Sequence, residues 1–338
     1  MRTTFEIQEN KFDVTYFVNK IKEDLKEFEF KTFNLGISFQ FDMPEDEKVL
    51  LKKEFQYNLT VELEKELNKQ RIDENSDIEI TIDYNYLFIT YYVRSTYIYG
   101  TYNKYSRELP QTTYYCFKCK GRGCDFCKNT GKLSESSVQE TIQKYFLKAF
   151  KGKDAKFHGA GREDINVRML GNGREFIIEI EEPKIRELTT ENLKKLEKEV
   201  NQEKDVKVNN LKMVNKLKVQ EIKSTKYTKL YEATVKTEKE ITEEDLKKIE
   251  LNKIIEIKQK TPTRVKRRRV DKIRERTAEI KKIEFINSTH FKIEIKAESG
   301  LYIKEFISGN NNRTNPSISE ILNNNSLCEE LDVIWIYR

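Results

Sequence analysis

Two stretches carry residue types and spacings that could do chemistry. In "CFKCKGRGCDFCKNTG", Cys116, Cys119, Cys124 and Cys127 form two CxxC pairs four residues apart. Four thiolates so spaced can close a tetrahedral zinc site, with the intervening glycines permitting tight turns. Redox chemistry would need only one pair. A knuckle this short has no apolar core, and four protein thiolates leave no open coordination position. The expected metal is therefore a structural staple. The spacing is similar to the CxxCxGxG module of DnaJ-type chaperones, which repeat it several times; a single compressed copy reads as convergent. The fifth cysteine, Cys328, is expected to be an isolated thiol.

The second stretch is "FHGAGREDINVRMLGNGREF", from Phe157 to Phe176. If Ile165 and Val167 enter a core as a strand begins, Asp164 and Asn166 face the other way. Beside Arg162 or Arg168, Asp164 would be an ionised, oriented carboxylate, able to act as nucleophile or base. The same residues would also make a surface salt bridge in a turn. Glu163 reads as the solvated neighbour of Asp164. His158 and His290 are the two histidines, and His158 is expected to be structural. The chain shows no P-loop and no GxGxxG, and no Ser/His/Asp triad can be assembled from it.

Elements of both periods must hold these stretches. "VTYFVNKIKEDLKEF" and "KVLLKKEFQYNLTVELEKELNK" have helical spacing, and "DIEITIDYNYLFITYYV" reads as two strands. "SRELPQTTYY" reads as a linker. Ser137 and Glu140 form a capping-box pattern, and the helix behind it would place Val138, Ile142, Phe146 and Phe150 on one face. "EFIIEIEEP" is a strand, "TTENLKKLEKEV" a helix, and short strands are expected through Val219. "KLYEATVKT", "HFKIEIKA" and "ELDVIWIYR" are further strands, with a short helix at "EEDLKKIE" and another after Gly300. Residues 152–338 are therefore predicted α+β with much antiparallel sheet.

At 338 residues the chain has room for two or three domains. Charged residues reach 36%, and their placement is uneven. Between Lys258 and Arg276 ten Lys/Arg face two acids, a local net charge of +8 in a chain whose total is +6. Such a run suggests contact with a polyanion; a solvated basic helix is the alternative. No apolar run approaches the roughly 18 residues of a membrane span, and the N-terminus lacks the apolar stretch of a signal peptide. A cytoplasmic protein is expected, in which cysteines serve as thiols or metal ligands.

"HGAGREDINVRMLGNGREF" closely resembles the "AGREDxDVRMLGxGRPF" signature of the Pus-ten family of tRNA pseudouridine synthases. Other segments resemble that family in the same order: "YIYGTYNKYSRELPQT", the CxxC pairs, "SVQETI", "KLYEATV", "QKTPTRVKRRRV", "SGLYIKEFISGNNNRTNPSISEIL" and "ELDV". The match is good over 95–338 and loose before it. The resemblance implies an isomerase of tRNA uridine 55, and of 54, in the TΨC arm, with no organic cofactor. It implies a THUMP-containing RNA-binding domain at 1–112, shortened here, a zinc knuckle at 113–133 and a catalytic domain at 134–338. The catalytic domain would be a mixed, mostly antiparallel sheet flanked by helices.

Carried over by residue, the resemblance makes Asp164 the catalytic carboxylate, attacking sugar or base or deprotonating the ribose. Tyr231 would stack on the target base and take part in proton transfer. Lys304 would pair with the carboxylate, and Tyr302, Ile303 and Leu331 would line the pocket. Arg162 and Arg168 would orient Asp164 or touch phosphate. Arg264, Lys266, Arg267, Arg268 and Arg269 would belong to a mobile loop clamping tRNA, its base fixed by Pro262 and Arg264. Each of these side chains also has a plain structural reading as core or solvated surface. Asn166 replaces the family's second Asp, Glu175 its Pro, and Lys266 a frequent His. No obligatory protein partner is implied. The competing reading is a non-catalytic tRNA-binding protein or RNA chaperone.

Overall fold

A computed structural model describes residues 14–38, 44–266 and 269–338. Internal contacts divide the chain into two units. One holds the described residues up to Tyr97 with 146–156 and 179–189; the other holds 98–145, 157–178 and 190–338.

The first unit opens with α1 (Val14–Leu25), β1 (Thr32–Ser38), α2 (Glu45–Leu67), β2 (Gln70–Arg71), β3 (Ile78–Asp83) and β4 (Phe88–Val93). The four strands form a sheet in the order β2-β1-β3-β4. β1 runs parallel to β2 and β3, whereas β3 and β4 pair antiparallel. Helical spacing puts Phe17, Ile21 and Leu25 on one face of α1. They share a core with Phe55, Leu59 and Leu63 of α2 and with Phe33, Leu35, Ile78, Ile80 and Ile82 of the sheet.

The chain continues with β5 (Thr96–Lys104), α3 (Val138–Phe150), β6 (Asp154–Gly159), β7 (Val167–Glu181), α4 (Thr190–Val200), β8 (Val206–Val214) and α5 (Leu217–Ser224). After these come β9 (Lys229–Thr237), α6 (Glu243–Leu246), β10 (Ile254–Lys260), β11 (Ile273–Asn287), β12 (His290–Ala297), α7 (Ile303–Ser308), β13 (Thr314–Asn315), α8 (Ile318–Leu322) and β14 (Ser326–Ile336). The strands build one ten-stranded sheet, β13-β10-β11-β12-β9-β14-β7-β5-β8, with β6 paired to β7. The pairings from β13 to β14 are antiparallel, and β14 meets β7 in parallel. This is the mixed, mostly antiparallel sheet that the alternation of "HFKIEIKA" anticipates: Phe291, Ile293, Ile295 and Ala297 are all buried. The capping pattern before α3 is also realised. Ser137 Oγ accepts from the Glu140 amide at 3.1 Å, and Val138, Ile142, Phe146 and Phe150 are fully buried.

Two expectations are corrected. The short strands expected through Val219 stop at Val214, and 217–224 is α5, whose one buried residue is Ile222. Leu217 and Val219 suggest alternation, but Leu217 is exposed, so no sheet face needs them. The basic run is neither a single loop nor a helix. Lys258 and Lys260 lie in β10 and Arg274 and Arg276 in β11, paired in the register Lys258↔Glu275 and Gln259↔Arg274. The connecting segment shrinks to 261–272.

Candidate active site and metal centre

The stretch around Asp164 is a turn leading into β7, closed by a bond from the Val167 amide to the Asp164 carbonyl (3.1 Å). Three of its glycines, Gly161, Gly171 and Gly173, have positive φ. At Gly171, with φ +57°, an added Cβ would lie 1.9 Å from the Ile334 carbonyl oxygen. No other residue fits where β7 passes β14.

The Asp164 side chain is 41% exposed and faces two cations. Arg264 Nη1 lies 3.0 Å from its Oδ2, and Lys304 Nζ lies 3.5 Å from the same oxygen. Arg264 comes from the short 3₁₀ turn Thr263–Val265. Its Nε also donates to buried Glu305 at 2.7 Å, and its guanidinium sits 5.8 Å from the centre of the Tyr302 ring. Lys304 and Glu305 are neighbours at the start of α7, so one helix end supplies a cation to Asp164 and a carboxylate to its partner. Lys304 Nζ also donates to Asn166 Oδ1 at 2.8 Å.

Glu163 is not solvated. Its side chain is 2% exposed and pairs with Arg174 Nε at 2.8 Å, itself 3% exposed. The Tyr102 hydroxyl donates to it at 2.9 Å, and Gln111 Nε2 donates at 2.8 Å to that hydroxyl oxygen. Gln111 Nε2 also reaches the Gly161 carbonyl (2.9 Å), and Arg174 Nη1 reaches that of Ala160 (2.9 Å). The two adjacent acids thus divide: Glu163 anchors the turn in the core, and Asp164 is presented at the surface. Alternation about a strand entrance could not reveal this, because the chain turns between them.

The expected partners of Asp164 are also corrected. Arg168 pairs with buried Asp332 through Nε at 2.9 Å, and Arg107 joins from the other side at 2.9 Å. The register explains it: Arg168 and Asp332 are opposed on parallel β7 and β14. Arg162 is exposed, and among the described residues the ion pairs of Asp164 are with Arg264 and Lys304. The loop's root therefore provides the partner expected from the turn itself.

Tyr231 lies on β9 opposite Val333 of β14 and Ile295 of β12. Burial pushes its hydroxyl up to about 12; Arg174 works against this shift and Glu163 with it, so the phenol is neutral at physiological pH. Ile303 and Leu331 are buried, and Tyr302 is half-buried at the cap of α7. The Tyr302 amide donates to Gln259 Oε1 at 2.8 Å, and Gln259 Nε2 donates back to its carbonyl at 3.0 Å. Of the loop residues, Lys266 pairs with Asp271 at 3.2 Å and Arg269 is exposed. Arg267 and Arg268 lie outside the described residues. His158 stands beside Lys223 (Nδ1···Nζ 3.0 Å).

The sequence reading misses Tyr102, Lys104, Gln111, Arg174, Glu305 and Asp332. Two of these adjoin assigned residues: Glu305 follows Lys304 in "YIKEF", and Asp332 follows Leu331 in "ELDV". Tyr102 and Lys104 carry a weaker signal, two polar-tipped residues two apart in a strand that is buried throughout.

The four cysteines come together as their spacing predicts, all ligand atoms within 4.8 Å of one another. Sγ separations of 3.9 Å (Cys116–Cys124), 3.8 Å (Cys119–Cys127) and 3.7 Å (Cys124–Cys127) match the edge of about 3.8 Å of a tetrahedron with metal–sulfur bonds of ~2.3 Å. The amides of Cys124 and Gly131 donate to Cys127 Sγ, each at 3.3 Å, as suits a thiolate. The donor set could hold a metal ion. Cys328 is a buried thiol elsewhere. Among the described residues no helix is long and apolar enough to cross a membrane.

Comparison with known proteins gives the family. The sequence family described as "Pus10, C-terminal" matches residues 97–337. The tRNA pseudouridine synthase Pus10 of Methanocaldococcus jannaschii is 44% identical, over 97% of this chain and 73% of that protein. Those of Archaeoglobus fulgidus (37%; 97% and 93%) and Methanopyrus kandleri (37%; 95% and 77%) are similar over nearly the whole chain. A solved Cbf5-Nop10-Gar1 complex matches 60% of this chain and 44% of its own at 17% identity, with a TM-score of 0.31, too low to say anything of the fold. With a match across its large sheet, its knuckle and the Asp164 turn, the chain belongs to the Pus10 family of tRNA pseudouridine synthases, which are isomerases.

Proposed function

We propose that the chain converts uridine to pseudouridine in cytoplasmic tRNA, at positions 55 and 54 of the TΨC arm, with Asp164 as the catalytic carboxylate. The observation that supports this most is the division between neighbouring acids. Glu163 is consumed by Arg174 in the core, whereas Asp164 is held half-open between Arg264 and Lys304.

In the reaction the N1–C1′ bond breaks, the uracil turns, and a C5–C1′ bond forms, C5 losing a proton and N1 gaining one. The target nucleotide must leave the RNA stack to reach Asp164. Asp164 then attacks sugar or base, or takes a ribose proton. Arg264 and Lys304 fix the orientation of the carboxylate, so that it can meet the acceptor at one angle. The neutral Tyr231 hydroxyl offers a ring face for the base and a proton at its oxygen. Tyr302, Ile303 and Leu331 wall the site. Arg269 and Lys266, with Arg267 and Arg268, meet phosphates, as does Arg162 near the turn, whereas Arg168 is held by Asp332. The N-terminal region, as a THUMP-like domain, holds another part of the tRNA. Zinc held by Cys116, Cys119, Cys124 and Cys127 would be structural, leaving no position open to substrate.

The test is a single-turnover assay on unmodified tRNA transcript, with pseudouridine mapped at both positions for wild type and Asp164→Asn. Wild type should modify position 55, and 54 with it, and the variant should bind tRNA with unchanged affinity while forming no product. Binding without modification by wild type would leave the chain a tRNA-binding protein.

A further inference from the structure

Lys104 is wholly buried, yet its side chain ends in an ammonium group. It closes β5, a strand flanked by β7 and β8 within the sheet. Its Nζ donates to three backbone carbonyls: Ile165 at 2.7 Å, Leu109 at 2.9 Å and Asp164 at 3.5 Å. A lysine ammonium has three donors and no acceptor, so the three carbonyls account for all of them. Two of the three belong to the turn that presents Asp164. Two residues earlier on the same strand face, Tyr102 holds the Glu163 carboxylate. One strand face thus grips Glu163, Asp164 and Ile165 in succession.

We propose that Lys104 is a positioning residue for Asp164: its buried ammonium gathers the Asp164, Ile165 and Leu109 carbonyls and so fixes the angle at which the Asp164 side chain meets Arg264, Lys304 and the target nucleotide. The assignment rests on the reading of Asp164 as the catalytic carboxylate. Neither the comparisons nor the motif resemblance gives this lysine a role.

The geometry makes the grip depend on charge. A neutral amine has two N–H donors and a lone pair, so one of three inward-facing carbonyls would meet a lone pair instead of a proton. The charged groups acting on Lys104 are Glu163 and Asp164 on the turn, Arg107 just beyond β5, and Arg174 on β7. Burial dominates them and pushes the ammonium down to about 8. Lys104 is therefore charged at neutral pH and loses its proton in a window where free lysines do not.

The experiment compares wild type with Lys104→Met, which keeps an unbranched apolar stem and removes the donors, and with Lys104→Gln, which keeps two. Three quantities are measured on the full chain: single-turnover pseudouridine formation, tRNA affinity, and amide hydrogen exchange by mass spectrometry. Lys104→Met should slow the single-turnover step about 10- to 100-fold, as expected for misplacement of a reacting group, with tRNA affinity within about twofold. Exchange should quicken over residues 161–167 and not in α3, and Lys104→Gln should fall between. The wild-type rate should decline as pH rises through about 8, a limb absent from Lys104→Met.

A wild-type rate in Lys104→Met, rate and affinity lost in parallel, or unchanged exchange over 161–167 would each overturn the proposal. If neither variant folds, the wild-type pH profile decides, followed from pH 7 to 11 so that it also spans the ordinary lysine value, and a rate flat over that whole range overturns it. If wild type forms no pseudouridine, the functional reading fails on its own, and exchange over 161–167 still decides whether Lys104 holds the turn.

Discussion

Arg264 shows how much a single residue's position matters. By sequence it belongs to a basic run that would clamp tRNA, and it would fix the base of that loop. In the fold its guanidinium is shared between Asp164 and Glu305, and a cation so engaged has little left for RNA. Arg269, in the same loop, is exposed. The two should separate cleanly in experiment. Arg264→Ala removes the partner of Asp164 and leaves Glu305 buried, so the single-turnover rate should fall about 100-fold, the usual loss for one preorganised donor. The salt dependence of tRNA binding should hardly change. Arg269→Ala should do the reverse: the rate at saturation stays, and the slope of log K against log salt falls by about 0.7–0.9, the share of one phosphate contact. If Arg264→Ala instead loses affinity and slope at an intact rate, the guanidinium belongs to RNA and not to Asp164.

At the level of elements, the local patterns were legible and the long-range ones were not. Helical spacing located α1, α2 and α3, alternation located β3, β9 and β12, and the cysteine spacing located the knuckle, because each is written within a few neighbouring residues. The grip of β5 on the Asp164 turn spans about sixty residues, and the pairing of Arg168 with Asp332 depends on which strand lies beside β7. Neither is encoded by spacing. Likewise Glu163 and Asp164 are alike in sequence and differ only because Arg174 and Tyr102 are buried beneath one of them. The knuckle differs from these elements in having almost no apolar interior beyond its own sulfurs and Leu133. A metal ion held by the four thiolates would supply its order. Purified chain should carry one zinc, lost in Cys124→Ser. Chelation should open 114–133 to protease and hydrogen exchange while the ten-stranded sheet keeps its protection. A knuckle equally protected without metal would show that its backbone bonds alone suffice.

Across the whole molecule, the buried lysine couples stability to the same proton that the proposed positioning needs. Unfolded, Lys104 would titrate near 10.5; folded, burial lowers it to about 8. Between those values the unfolded chain binds a proton that the folded chain does not, so stability must rise with pH across the window. Below about pH 8 both states carry the charge and the cost of burying it is felt in full. Above about 10.5 it is gone. The span corresponds to roughly 3 kcal/mol. Other groups move too. Lys229, also lowered to about 8 by burial and then by Arg174, adds in the same direction. Cys328, raised to about 12 chiefly by burial, and Tyr231, also raised to about 12, subtract at higher pH, because their unfolded forms ionise first. Subtracting Lys104→Met from wild type at each pH cancels these and leaves the lysine alone. The wild-type advantage in urea unfolding should therefore grow by roughly 3 kcal/mol between pH 7.5 and 10.5. Over that interval the wild-type isomerisation rate should fall. Stability rising while activity declines would mark Lys104 as a charge kept in the core at a cost, for what it holds in place. A difference flat with pH would mean the three carbonyls solvate the ammonium as well as water does, so that it keeps its proton, and its hold on the turn, across the whole window.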